Sequence, residues 1–247
     1  MKIRKKAMVS LLTAAAVAAQ CTTAFAARST QSSDSEPSYS SSSVQTSTVT
    51  VTSSGVKTTG EVTSTTAGGS TIAVAVNTKT DSGTDIRVNG KGEAVIGDKT
   101  VTFAKSEAAT AGLSQAVVNT IDSINSGKTL SSIITGYDLT TRKKEDGTPN
   151  LDINGAPRLD LTGYNALTGT HALVTKNAAT GSVNDTATET VIYVPNLIEG
   201  IGTVSVLYYD NVSGQWLLLP VTKIDAKSKL VYVTVTGSGT LSVVYKK

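Results

Sequence analysis

Val204-Ser205-Val206-Leu207-Tyr208-Tyr209 and Trp216-Leu217-Leu218-Leu219 flank Asp210-Asn211-Val212-Ser213-Gly214-Gln215, and this stretch decides the fold. Two runs rich in aliphatic and aromatic residues, separated by a cluster of Asp, Asn, Ser and Gly, are the signature of a β-hairpin. If Asp210 pairs with Gln215, then Tyr209 faces Trp216, Tyr208 faces Leu217, Leu207 faces Leu218 and Val206 faces Leu219. Side chains alternate across a strand, so one face collects Val204, Val206, Tyr208, Leu217, Leu219 and Val221 and reads as core. The other collects Ser205, Leu207, Tyr209, Trp216, Leu218 and Pro220, a mixed face ending in an aromatic cross-strand pair.

The same alternation extends outward from the hairpin. Val231, Val233 and Val235 share a face, and a three-residue Gly237-Ser238-Gly239 loop would set Leu241, Val243 and Tyr245 beside them in a closing hairpin. The chain then reaches Lys246-Lys247, which leaves no room for a sorting tail after that strand. Upstream, Ile72, Val74 and Val76 alternate before a turn at Asp81-Ser82-Gly83. Ile86-Arg87-Val88, Ala94-Val95-Ile96 and Val101-Thr102-Phe103 follow between Gly-, Asn- and Asp-containing breaks, a meander of short strands. Leu113, Val117, Ile121 and Ile124, widened by Val118, form one apolar stripe on a 3.6 period and predict a helix over 106–126. Ser106-Glu107 would open that helix and Asn125-Ser126-Gly127 would stop it. The stripe is expected to pack on a sheet rather than form a partner groove, and a shorter helical piece is expected at Leu130–Ile134. Leu151, Ile153, Leu159 and Leu161 alternate with polar residues around Gly155-Ala156-Pro157, as two short strands and a turn.

The N-terminus reads as an address. Lys2, Arg4, Lys5 and Lys6 precede a short apolar run, Ala7–Ala19, and Ala24-Phe25-Ala26 fits the small-x-small cleavage rule, so residues 1–26 are expected to be a signal peptide cut before Ala27. Cys21 would suggest a lipoprotein, but Gln20 stands where that processing wants a small residue and Ala18 replaces the usual Leu. The apolar run is shorter than the ~20 residues of a membrane span, and no later segment approaches that length. From Arg28 to Ser70, 24 of 43 residues are Ser or Thr, too few apolar groups to offset the entropy of ordering them, which predicts a disordered stalk over 27–70. Within it, Val49 and Val51 in Thr-Val-Thr-Val-Thr alternate as a short strand would. The head then spans 71–247, as one unit or as two, 71–135 with the helix and 136–247 as a β-sandwich. The fold class expected is mainly β with one or two helices, a sandwich with a minor α+β element.

Charge and composition exclude several functions. The chain carries 22 Lys and Arg against 19 Asp and Glu, and removing the four leader cations leaves 18 against 19. That balance gives no electrostatic case for nucleic acid or an anionic membrane. One Cys and one His cannot build a multi-ligand metal centre or an internal disulfide, and no cofactor is implied. Asn150-Leu151-Asp152-Ile153-Asn154-Gly155 has a passing likeness to a calcium loop, but Asn holds the first ligand position and Leu161 the twelfth. The basic run Arg142-Lys143-Lys144 is answered at once by Glu145-Asp146, as in a solvated loop. His171 is the only imidazole and there is no Gly-x-Ser-x-Gly elbow, so Thr170-His171-Ala172-Leu173-Val174 reads as a strand edge and no catalytic residue is assigned. No spacing points to a Lys–Asn isopeptide crosslink.

Val194-Pro195-Asn196-Leu197, Val206–Asp210, Gly214-Gln215-Trp216 and the closing Thr236–Val244 resemble the terminal β-sandwich modules of secreted and surface proteins of Gram-positive gut bacteria. The resemblance covers about a quarter of the chain. It implies an extracellular β-sandwich and carries over no catalytic residue; such modules usually end in a wall anchor or stand among repeats, whereas this sequence stops. Two function classes follow. One is a secreted or cell-surface, noncatalytic structural or adhesive protein, whose partner is a cell-wall or host glycan or another surface protein. The other is a glycan- or peptide-binding module using Tyr209 and Trp216 as its ligand face. An open, flat face at that pair would favour binding; a helix laid over it would favour the structural reading.

Overall fold

The structure, a computed structural model, describes residues 48–58, 72–103, 112–127, 129–130, 159 and 161–247. Fourteen strands fall among them: β1 (Thr48–Thr52), β2 (Gly55–Thr58), β3 (Ala73–Val76), β4 (Thr78–Lys79), β5 (Asp85–Val88), β6 (Ala94–Ile96), β7 (Lys99–Phe103), β8 (Tyr164–Ala166), β9 (His171–Asn177), β10 (Thr188–Tyr193), β11 (Thr203–Asp210), β12 (Gln215–Asp225), β13 (Leu230–Val235) and β14 (Gly239–Lys246). One α-helix, α1 (Gln115–Asn125), stands between β7 and β8 in the chain. Hydrogen bonding runs in one path, β2-β1-β3-β10-β13-β12-β11-β14-β9-β7-β6-β5-β4, with β8 added alongside β14.

That path is a curled sheet whose two halves face each other. The eleven-residue β12 passes between them: Gln215 to Pro220 pair with β11, and Val221 to Asp225 pair with β13, with an irregularity between Val221 and Lys223. At the opposite side β3 runs into β4 through a single residue, Asn77, at φ 57°. Asn tolerates that left-handed corner better than a β-branched residue would. Side chains from both halves meet in one apolar cluster: Val74, Ile192, Val231 and Val233 from one, and Ile86, Val101, Leu173, Val206, Tyr208 and Leu241 from the other.

The hairpin pairs in the expected register, Asp210 with Gln215 through Val206 with Leu219. Its two faces go where alternation sends them. Val204, Val206 and Tyr208 enter the main cluster, while Leu207, Tyr209, Trp216 and Leu218 lie on the opposite side in a second one. β5, β6 and β7 form the expected antiparallel meander, Ile86 opposite Ile96 and Ala94 opposite Val101. α1 stops where Gly127 reaches φ 75° and donates its N–H to the Ile124 carbonyl at 3.0 Å, a conformation that costs glycine little.

Three expectations fail. The helix expected over 106–126 begins only at Gln115, where Ser114 is extended (φ −66°, ψ 152°) and breaks the helical path before it. The closing hairpin does not form: β13 pairs with β10 and β12, and β14 with β11, β9 and β8. Its faces are right, since Val231, Val233, Val235, Leu241 and Val243 all enter the core, but the chain crosses between the two halves at Gly237–Gly239 rather than turning back on itself. A Cβ at Gly239 would lie 2.4 Å from the Tyr209 carbonyl oxygen and 2.5 Å from the Tyr208 ring, so position 239 is closed to any side chain. The expected stalk is also too long. β1 pairs in parallel with β3, Thr48 opposite Val74, and Val49 is buried in the core, so the ordered head includes residues 48–58.

The leader over 1–26, the greater part of the stalk, Ser106-Glu107, the basic run Arg142–Lys144, the calcium-like loop at 150–155 and the strand pair up to Pro157 lie outside the described residues. So does the helical piece beyond Leu130; Leu130 itself is buried.

Candidate functional site

Tyr209 and Trp216 are neighbours, as the register requires. Their ring centroids stand 5.3 Å apart at 58°. They are not open: Trp216 is 4% and Tyr209 9% exposed. Val117, Ile121 and Ile124 of α1 pack with them, joined by Leu113, Leu130, Leu161, Leu207 and Val244. These helix residues are the stripe legible in the sequence, and their buried face lies against this sheet. The helix end is fixed as well, because Asn125 Oδ1 accepts the Thr170 N–H at 2.8 Å and the Thr170 hydroxyl at 3.2 Å. The Trp216 indole N–H is buried without a hydrogen-bond partner among the described residues. The open aromatic platform that a sugar or peptide would stack on is therefore replaced by a second apolar core.

His171 opens β9, which lies between β7 and β14 inside the sheet rather than at an edge. Its ring is 5% exposed and meets Phe103 edge-on at 5.9 Å. The carboxylates near it in type have structural tasks. Asp210 accepts the Val212 N–H at 3.1 Å and the Ser213 hydroxyl at 2.8 Å, shaping the hairpin loop. Asp225 accepts the Ser228 N–H at 3.0 Å in the turn between β12 and β13; that bond is the main reason its pKa lies below the usual carboxylate range. Glu189 accepts the N–H and hydroxyl of Ser82, tying the Asp81-Ser82-Gly83 turn to β10; burial pushes its pKa up, but these bonds outweigh burial and leave it lowered. Asp85 pairs on the surface with Lys79 at 2.5 Å and Arg87 at 2.9 Å. Among the described residues no group of three His, Cys, Asp or Glu side chains is placed to hold a metal ion, and no helix is long and apolar enough to cross a membrane.

Tyr208 is a strongly perturbed ionisable side chain. Its hydroxyl donates to the Gly237 carbonyl at 2.7 Å within the core, and burial, followed by the nearby charge of Asp210, pushes its pKa well above the ordinary phenol value. It bonds the crossing between β13 and β14.

One concave feature carries no mark in the sequence. A cleft of about 500 Å³ opens between the segment Leu197–Gly202 and the far end of β12, with the start of β11 at its base. Its lining comes from two stretches well separated in the chain, 197–204 and 223–227, neither of which marks a site by itself.

No known protein family matches the chain, and comparison with curated proteins and with solved structures finds no similar chain.

Proposed function

We propose that the protein works outside the cytoplasm, secreted or held at the cell surface, as a noncatalytic structural or adhesive component. The partner class is a cell-wall or host glycan or another surface protein. The observation that carries this reading is the fate of Tyr209 and Trp216: the aromatic pair best suited to bind a ligand is spent on packing α1 to the sheet. His171, Asp210, Glu189 and Asp225 are likewise absorbed into packing and turns, so these groups do not come together as nucleophile, base and oxyanion donors among the described residues. The leader-like residues 1–26 support an extracellular setting, and with no Cys after residue 26 the fold's stability there comes from packing.

The reading is tested by expressing the whole chain with its own leader in a Gram-positive secretion host. The expected result is protein in the medium or on the cell surface with Ala27 as its first residue, and no turnover of glycans or peptidoglycan in a hydrolysis screen. Uncleaved protein retained in the cytoplasm overturns the location; turnover of any substrate overturns the noncatalytic role.

A further inference from the structure

β11 and β12 stay paired only as far as Ser205 opposite Pro220. Proline has no N–H to continue the ladder, and from Val221 onward β12 turns to β13 instead. The cleft lies in the fork this leaves. Ile201 and Val204 line it, and Ile198 and Ile224 stand on its two sides, 57% and 43% exposed, the two exposed isoleucines among the described residues. An aliphatic centre of this kind within a charged rim has the layout of a protein interface.

The charges are arranged in a particular way. Glu199, on the segment after β10, and Lys227, on the turn between β12 and β13, both line the cleft and are both exposed. Neither has a side-chain partner among the described residues, and they do not reach each other: the ion pairs there are Lys79–Asp85, Arg87–Asp85 and Lys99–Asp98. The other charged groups are engaged. Asp225 accepts from Ser228, the Lys223 ammonium sits 4.9 Å from the centre of the Tyr232 ring, and Lys229 donates to the Leu197 carbonyl.

We propose that this cleft docks a second copy of the same chain, in a two-fold pairing where the β12–β13 turn of each copy enters the cleft of the other. Lys227 of each copy then faces Glu199 of the other, and Ile224 of each meets Ile198 of the other. A surface with a free anion on one lining segment, a free cation on the other and aliphatic side chains on both is complementary to itself under a two-fold rotation; a cleft of one sign would repel its own copy. A glycan is a poorer occupant, because no aromatic side chain lines the cleft. The proposal is independent of the extracellular role argued above, since self-association is read by mass and not by location.

The test is sedimentation equilibrium of the full chain over a range of concentrations. Wild type is expected to show a monomer–dimer equilibrium that weakens as salt is raised. Lys227→Glu alone and Glu199→Lys alone each oppose like charges and should weaken the dimer at least about tenfold, with unchanged circular dichroism. An equimolar mixture of the two variants opposes unlike charges at both contacts and should recover the wild-type dimer. Wild type monomeric throughout, variants that dimerise like wild type, or a mixture that stays monomeric would each overturn the proposal.

Discussion

Trp216 and Leu219 sit three residues apart on one strand, and the structure inverts the roles their sequence context suggests. Leu219 is on the apolar face yet is only partly buried, whereas Trp216 on the mixed face is nearly enclosed. Trp216→Ala should therefore cost about 3–5 kcal/mol, and Leu219→Ala about 1–2 kcal/mol because less of its area leaves water. Chemical denaturation of the two variants checks the order; a larger loss at Leu219 would contradict the packing described. Tyr208 gives a pH-dependent prediction. Its folded pKa is raised, so the stability it contributes is complete below the unfolded phenol value of about 10 and is lost as pH climbs from there toward the folded value. Wild type should lose stability above about pH 10 more steeply than Tyr208→Phe. At neutral pH that variant should be weaker by about 1–2 kcal/mol, because the buried Gly237 carbonyl loses its donor. Thermal melts of both proteins across pH 7–11 decide it; parallel curves would remove Tyr208 as the cause.

At the scale of elements, β1 carries the next prediction. A chain starting at residue 71 lacks Val49 and the parallel partner of β3, leaving the Val74–Val76 edge unpaired on that side. Compared with a chain starting at Thr48, it should melt on the order of 10 °C lower, by differential scanning calorimetry. Equal melting temperatures would show that β1 and β2 contribute nothing to the head. The same strand shows what sequence can and cannot reveal. Thr-Val-Thr-Val-Thr displays its alternation plainly, but its threonine content matches the polar segment around it, and only the distant Val74 supplies the reason for order. The β11–β12 register was legible because both strands and their turn lie within one local stretch. The partners of β13 and β14 were not, because β10 and β9 come from far upstream and nothing in Val231–Val235 names them. For the candidate site, the helix stripe and the aromatic pair were each visible. Their meeting was not, because Ile121 and Trp216 are almost a hundred residues apart and periodicity says which face is apolar, never what it touches.

For the whole molecule, β11 and β14 bind the two apolar clusters together, since each strand sends alternate residues to opposite sides: Val206 and Tyr208 against Leu207 and Tyr209, Leu241 and Val243 against Val244. Neither cluster can loosen while those strands stay paired. Unfolding should thus be a single transition, with the fluorescence of Trp216, the one tryptophan, and the far-ultraviolet circular dichroism tracing the same denaturant curve. A fluorescence change that precedes the dichroism would show the α1 layer separating first. β14 has a further, mechanical meaning. It lies antiparallel to β11 over eight residue pairs, from Thr203 opposite Lys246 to Asp210 opposite Gly239, and is held by β8 and β9 along its other edge. A pull applied at Lys246 along the strand loads those rungs side by side, in shear, so they must fail together. The same pull directed across the sheet would open them one after another, like a zip, and at a far smaller force.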